Sequence, residues 1–128
     1  MRAEIISLGE LLIDFVSLDA DCSLRDSSGF VKAPGGAPAN VAAGVARLGR
    51  KAAFIGKVGK DPFGDFLKKT LEDLSVDVSG LRVDERARTT LSFVAKRSSG
   101  VRDCMFYRHP GADMHLAPED IAEELPES

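Results

Sequence analysis

The sequence predicts a mixed α/β protein, and three observations carry that reading. Residues 4–16 (EIISLGELLIDFV) have the Ile, Leu, Val and Phe content of a strand buried on both faces. Two later stretches, opening at Pro38 and Pro62, place apolar residues at helical spacing. Strand-like runs lie between and after them, and the last of these fold back as a hairpin.

Taken in order, Gly9 interrupts the first run, and Asp14 is a charge in otherwise apolar surroundings. Residues 17–28 are polar and turn-rich, and Phe30, Val31 and Lys32 read as a short returning strand. Pro34, Gly35 and Gly36 break the chain. Residues 38–48 predict a helix: Pro38 suits its first turn, Val41, Val45 and Leu48 are spaced 4 and 3 apart, and Gly49 suits the C-terminal cap. Residues 52–58 are strand-like. Asp61 then serves as N-cap and Pro62 as the first residue of a helix reaching about Leu74, with Phe63, Phe66, Leu67, Leu71 and Leu74 on one face. Residues 89–96 alternate, residues 98–100 turn, and residues 102–108 return as the second arm of the hairpin. Residues 118–125 read as a short terminal helix. Two α/β units supply only the beginning of a parallel sheet, which normally has helices on both faces, so an incomplete domain is expected.

The bulk numbers narrow the function class. With 17 Lys+Arg against 20 Asp+Glu the net charge is −3, and no basic face of the kind nucleic acid requires is expected. No apolar run approaches the roughly 20 residues needed to cross a bilayer. The N-terminus runs from Met1 and Arg2 straight into a strand, without a signal or transit segment, so a cytoplasmic location is expected. Cys22 and Cys104 form neither a CxxC pair nor a zinc spacing and are expected as free thiols.

The segment at 33–42 (APGGAPANVA) is the one richest in chemistry. Gly35 and Gly36 let backbone approach a ligand without a Cβ in the way. The helix start behind them offers unpaired N–H groups, and Asn40 carries both a donor and an acceptor able to read a hydroxyl. A sugar is a crowd of hydroxyls and suits that chemistry. A plain turn before a helix is the other reading of the same residues.

The wider spacing of Gly35, Gly36, Asn40, Ala42, Gly49 and Gly59 resembles the N-terminal signature of the ribokinase/PfkB carbohydrate kinase family. Within it the chain is most similar to fructokinases, through GELLIDFV at 9–16, KAPGGAPANVA at 32–42, IGKVG at 55–59, DPFG at 61–64 and FYRHPGAD at 106–113. The resemblance implies a ribokinase-like fold, a Rossmann-like αβα sandwich with a small β-sheet lid, here truncated. Residues 1–128 would be the N-terminal part of the kinase domain, with lid segments at about 15–32 and 89–108. It also implies that Asp14, at the end of the first strand, accepts hydrogen bonds from sugar hydroxyls. Gly35 and Gly36 would lie against the sugar, and Asn40 would bond it. Arg108 would sit near the sugar or its incoming phosphate. Phe106, of the same strand parity, would form an apolar wall. Each has a plainer reading: Asp14 and Asn40 as caps, Arg108 as a solvated edge charge, Phe106 as lid core. Asp61 is expected as a cap only, His109 and His115 as residues without a partner constellation, and Lys57 and Lys60 as surface charges.

The implied activity is ATP- and Mg²⁺-dependent phosphorylation of a sugar hydroxyl, with fructose giving fructose 6-phosphate. No GxxxxGK[ST] loop occurs, so the chain is not a P-loop enzyme. The family's catalytic Asp lies in a Gly-Ala-Gly-Asp motif toward the C-terminus, and no such motif occurs in these residues. The chain is therefore expected to hold no catalytic base, no ATP site and no metal site, and to be silent by itself. Other family members, such as a 2-keto-3-deoxygluconate kinase or ribokinase, remain open. So do a non-catalytic interaction module on a truncated kinase fold and a homodimer through the lid.

Overall fold

The computed structural model describes residues 3–108 and 110–121. The apolar N-terminal run is two strands rather than one. β1 (Ile5–Leu8) ends before Gly9, and β2 (Leu12–Ser17) joins a different sheet. A run apolar on both faces looks the same whether it serves one sheet or two; the crossing at residues 9–11 is decided by the partners each half finds. β3 (Phe30–Gly35), α1 (Ala37–Arg47), β4 (Ala52–Gly59), α2 (Pro62–Asp73), β5 (Asp77–Asp84), β6 (Leu91–Lys96) and β7 (Arg102–Tyr107) follow. Two 3₁₀ turns, Ala112–His115 and Pro118–Asp120, close the described chain. The helix expected over 118–125 is such a turn to Asp120, and residues 122–125 lie outside the described residues.

β1, β4 and β5 form a parallel sheet in the order β1-β4-β5. No strand is expected from DVSGLRVD at 77–84, which has Gly80 inside it and Asp at both ends. Its parallel ladder with β4 makes it one, with a register shift between Ala53 and Ile55. Ala52, Phe54 and Val58 of β4 share one core with Ala39 and Ala42 of α1 and with Leu67 and Leu71 of α2. Phe54 is fully buried, and burying a side chain of that size contributes about 1.5–3 kcal/mol.

The side of α1 that meets the core differs from the one its spacing suggests. Ala39 and Ala42 are buried, Val45 packs against the core, and Val41 and Leu48 are exposed. Small residues let this helix lie close to β1 and β4, so proximity outweighs side-chain size. α2 follows expectation, with Asp61 accepting the Gly64 N–H at 2.8 Å as its cap.

β3, β2, β6 and β7 form the second sheet in that order, parallel at its centre and antiparallel at both edges. One face is aromatic. Phe15 stacks on Phe93 with centroids 5.1 Å apart and meets Phe63 of α2 edge-on at 5.6 Å. On the other face the register puts Ala33, Asp14, Ser92 and Phe106 in one row. Asp14 is thus the third residue of β2 and not the end of a first strand.

Candidate functional site

The site forms where the two sheets join, around the row that holds Asp14. Ser92 Oγ donates to Asp14 Oδ1 at 2.8 Å. The other oxygen, Oδ2, lies so close to Gly35 that any Cβ there would overlap it. Gly36 follows at φ 106, a conformation that favours glycine, and its added Cβ would stand 2.5 Å from the Glu10 carbonyl oxygen. The two glycines are therefore required by contact and by backbone, beyond making a turn.

α1 opens at Gly36 with no side-chain cap and no acid in its first turn. The missing anion comes from the connection between β1 and β2: Glu10 Oε1 accepts the Ala37 N–H at 3.3 Å. The other Glu10 oxygen accepts from Arg108 Nη2 at 3.0 Å, and Asp113 Oδ2 accepts from the same nitrogen at 2.8 Å. Thr90 Oγ1 donates to Asp113 Oδ1 at 2.6 Å. The Asp113 side chain is 3% exposed and that of Arg108 25%. Burial works against the Arg108 charge, but the carboxylates of Asp113 and Glu10 outweigh it and raise its pKa. Arg108 is thus a paired, largely buried cation and not a solvated edge charge. Its Nε is buried with no hydrogen-bond partner among the described residues.

Phe106 lies under this guanidinium, with Arg108 Cζ 5.2 Å from the ring centroid. It is 47% exposed, so it is not lid core. Asn40 exposes its side chain one turn into α1 and donates its backbone N–H to Gly36 O at 2.9 Å, an ordinary helical bond, so it does not cap. Asp14, Gly35, Gly36, Phe106 and Arg108 are linked by contacts through Ser92 and Glu10, and Asn40 adjoins them through the helix. A cleft of about 900 Å³ is lined by Phe106, Arg108, Phe63, Leu91 and Tyr107, and by Arg86 and Arg88. It excludes Asp14 and the glycines and so covers one end of the site only.

Glu10, Thr90, Ser92 and Asp113 are missing from the sequence reading. Glu10 and Asp113 stand inside the GELLID and FYRHPGAD segments, four residues before Asp14 and five after Arg108, and a charge within each segment was the available signal. Other expectations sort as follows. Asp61 is a cap that also accepts Thr89 N–H at 2.9 Å and Thr89 Oγ1 at 2.8 Å. Lys57 is no surface charge: it is 15% exposed and bridges to Asp120 at 3.1 Å, because β4 is central and the last turns cover it. Lys60 is an exposed charge, 3.7 Å from Glu85. His115 has a partner, Asp84 at 2.7 Å, which the fold of the 3₁₀ turn supplies. His109 lies outside the described residues. Cys22 and Cys104 are free thiols.

The N-terminus of α1 is already faced by the Glu10 carboxylate, which would repel phosphate. No group of three metal-ligating side chains occurs among the described residues, and none of the described helices is long and apolar enough to cross a membrane.

The family model for pfkB family carbohydrate kinases matches residues 2–128. A fructokinase-1 of Oryza sativa subsp. japonica is 54% identical over 121 residues, covering 94% of this chain and 38% of that protein. A sugar kinase of Pyrococcus horikoshii solved in complex with ATP superposes with a TM-score of 0.86 at 42% identity, over 91% of this chain and 37% of the other. The fructokinase of Halothermothrix orenii gives a TM-score of 0.81 at 37% identity, over 88% and 40%. The chain thus spans well under half the length of the relatives it matches.

Proposed function

Since this chain belongs to the pfkB family of carbohydrate kinases, with the ribokinase-like fold, we propose that it is the N-terminal, sugar-contacting part of a fructokinase. The whole protein would transfer the γ-phosphoryl group of ATP to the terminal hydroxyl of fructose, giving fructose 6-phosphate. The observation that carries this is the convergence of Asp14, Gly35, Gly36 and Arg108 on one junction between the sheets.

In this reading Asp14, held through one oxygen by Ser92, accepts hydrogen bonds from sugar hydroxyls through its remaining lone pairs. Gly35 and Gly36 let the sugar lie against backbone, and Asn40 supplies a donor and an acceptor beside them. Phe106 covers an apolar face of the ring. The four-stranded sheet, which holds the segments at about 15–32 and 89–108, would act as the lid. Phosphoryl transfer needs charge neutralisation and a base for the attacking hydroxyl. In this reading ATP, Mg²⁺ and the base would be held by a C-terminal half. We place the protein in the cytoplasm, in keeping with a soluble sugar kinase. The exposed Val16, Val31 and Cys104 on the lid suit a homodimer contact.

The test is a substrate panel on the whole protein with ATP and Mg²⁺. Phosphorylation of fructose in preference to ribose supports the reading, and preference for ribose overturns the choice of sugar. Turnover by residues 1–128 alone would overturn the division of labour.

A further inference from the structure

We infer that Glu10 and Asp113 act as specificity-determining residues: by neutralising Arg108 they make the site select an uncharged sugar over a sugar acid. The inference deepens the sugar-kinase reading and rests on it. An arginine beside a sugar site can do one of two things. With its charge free, it binds a carboxylate on the substrate, as guanidinium does bidentately. With its charge met by the protein, it offers only directed N–H groups.

Here the charge is met twice. Glu10 Oε2 and Asp113 Oδ2 both accept from Nη2, at 3.0 and 2.8 Å. Two carboxylates against one guanidinium leave one negative charge in excess. The Asp113 side chain is 3% exposed and its second oxygen is held by Thr90, so it cannot swing aside to release Arg108. Glu10 is tied at its other oxygen to the first N–H of α1. An anionic substrate would meet this excess charge in a partly desolvated place, where repulsion is weakly screened. A neutral sugar would meet no such penalty. The open Phe106 ring is compatible with the apolar face of a neutral sugar ring.

The test compares fructose with 2-keto-3-deoxygluconate on the whole protein, by kcat/KM, and fructose with D-gluconate by calorimetric binding. Wild type is expected to prefer the neutral sugar in both. Asp113→Asn removes one charge and keeps the shape. It is expected to narrow the preference by about 10-fold or more, the scale of removing one like charge from a partly solvated site. If that variant does not fold, Glu10→Gln at the more exposed position makes the same comparison. Thr90→Val loosens Asp113 but keeps its charge, and should lower kcat/KM for both substrates while leaving their ratio unchanged. An unchanged ratio in Asp113→Asn and Glu10→Gln overturns the inference while fructose turnover upholds the kinase reading. A shifted binding ratio without any phosphorylation does the reverse. Equal wild-type binding of fructose and gluconate also overturns it, and binding of neither overturns both.

Discussion

The two sheets use similar residues for opposite ends. In the parallel sheet, Ala52, Ala53, Phe54 and Ile55 of β4 are all buried, and the strand is covered on both faces. In the four-stranded sheet, Leu12, Ile13 and Ser92 of the central strands are buried, while Val16 and the Met105, Phe106 and Tyr107 side chains of β7 are open. The first sheet holds one charge on its central strand, Lys57, which Asp120 pairs at 3.1 Å. The second carries Asp14 and Ser92 bonded to each other in mid-sheet, beside the open surface. The difference separates a scaffold, whose substitutions register as stability, from a recognition surface, whose substitutions register as binding.

The largest effect should come from the scaffold. Phe54→Ala empties a fully buried site and is expected to cost about 3–5 kcal/mol in denaturant unfolding of the whole protein. Gly35→Ala drives a Cβ into Asp14 Oδ2, so sugar KM should rise sharply, while sites away from the junction keep their hydrogen-exchange protection. Asp14→Asn removes a charged acceptor, and kcat/KM for fructose should fall roughly 10- to 100-fold, the scale of one charged hydrogen bond. Unfolding midpoints within error of wild type would keep that effect on the recognition side of the comparison; a large stability loss would move Asp14 to the scaffold.

Asp61 joins the two regions, capping α2 and holding Thr89 ahead of β6. Burial acts to raise its pKa, but the hydrogen bonds from Thr89 and Gly64 prevail and lower it. The sign follows: a carboxyl with a depressed folded pKa adds stability above its unfolded value, near 4, and loses it as pH falls through the folded value. Asp61→Asn should therefore unfold with a flatter pH dependence below about pH 4, and Asp61→Ala should cost about 1 kcal/mol near neutrality through the lost cap. The smallest effect is expected at Phe106→Leu, within about 0.5 kcal/mol of wild-type stability because the ring is half open, with the change appearing in sugar KM instead.

The α/β class, both helices, the Asp61 cap and the hairpin at 91–107 were legible in the sequence, because each rests on local rules: apolar period, proline and glycine placement, turn residues. So was the cluster of Asp14, Gly35, Gly36 and Arg108 as residues of interest, through spacing and resemblance. What only the tertiary structure decided is long-range. A crossing at residues 9–11 divided one apolar run between two sheets, and a weak segment became β5 because β4 was beside it. Glu10 and Asp113 stand 98 and 5 residues from Arg108, yet both reach one nitrogen. Local patterns report what a backbone segment prefers. They do not report which charges a fold brings face to face, and that pairing sets what Arg108 can recognise.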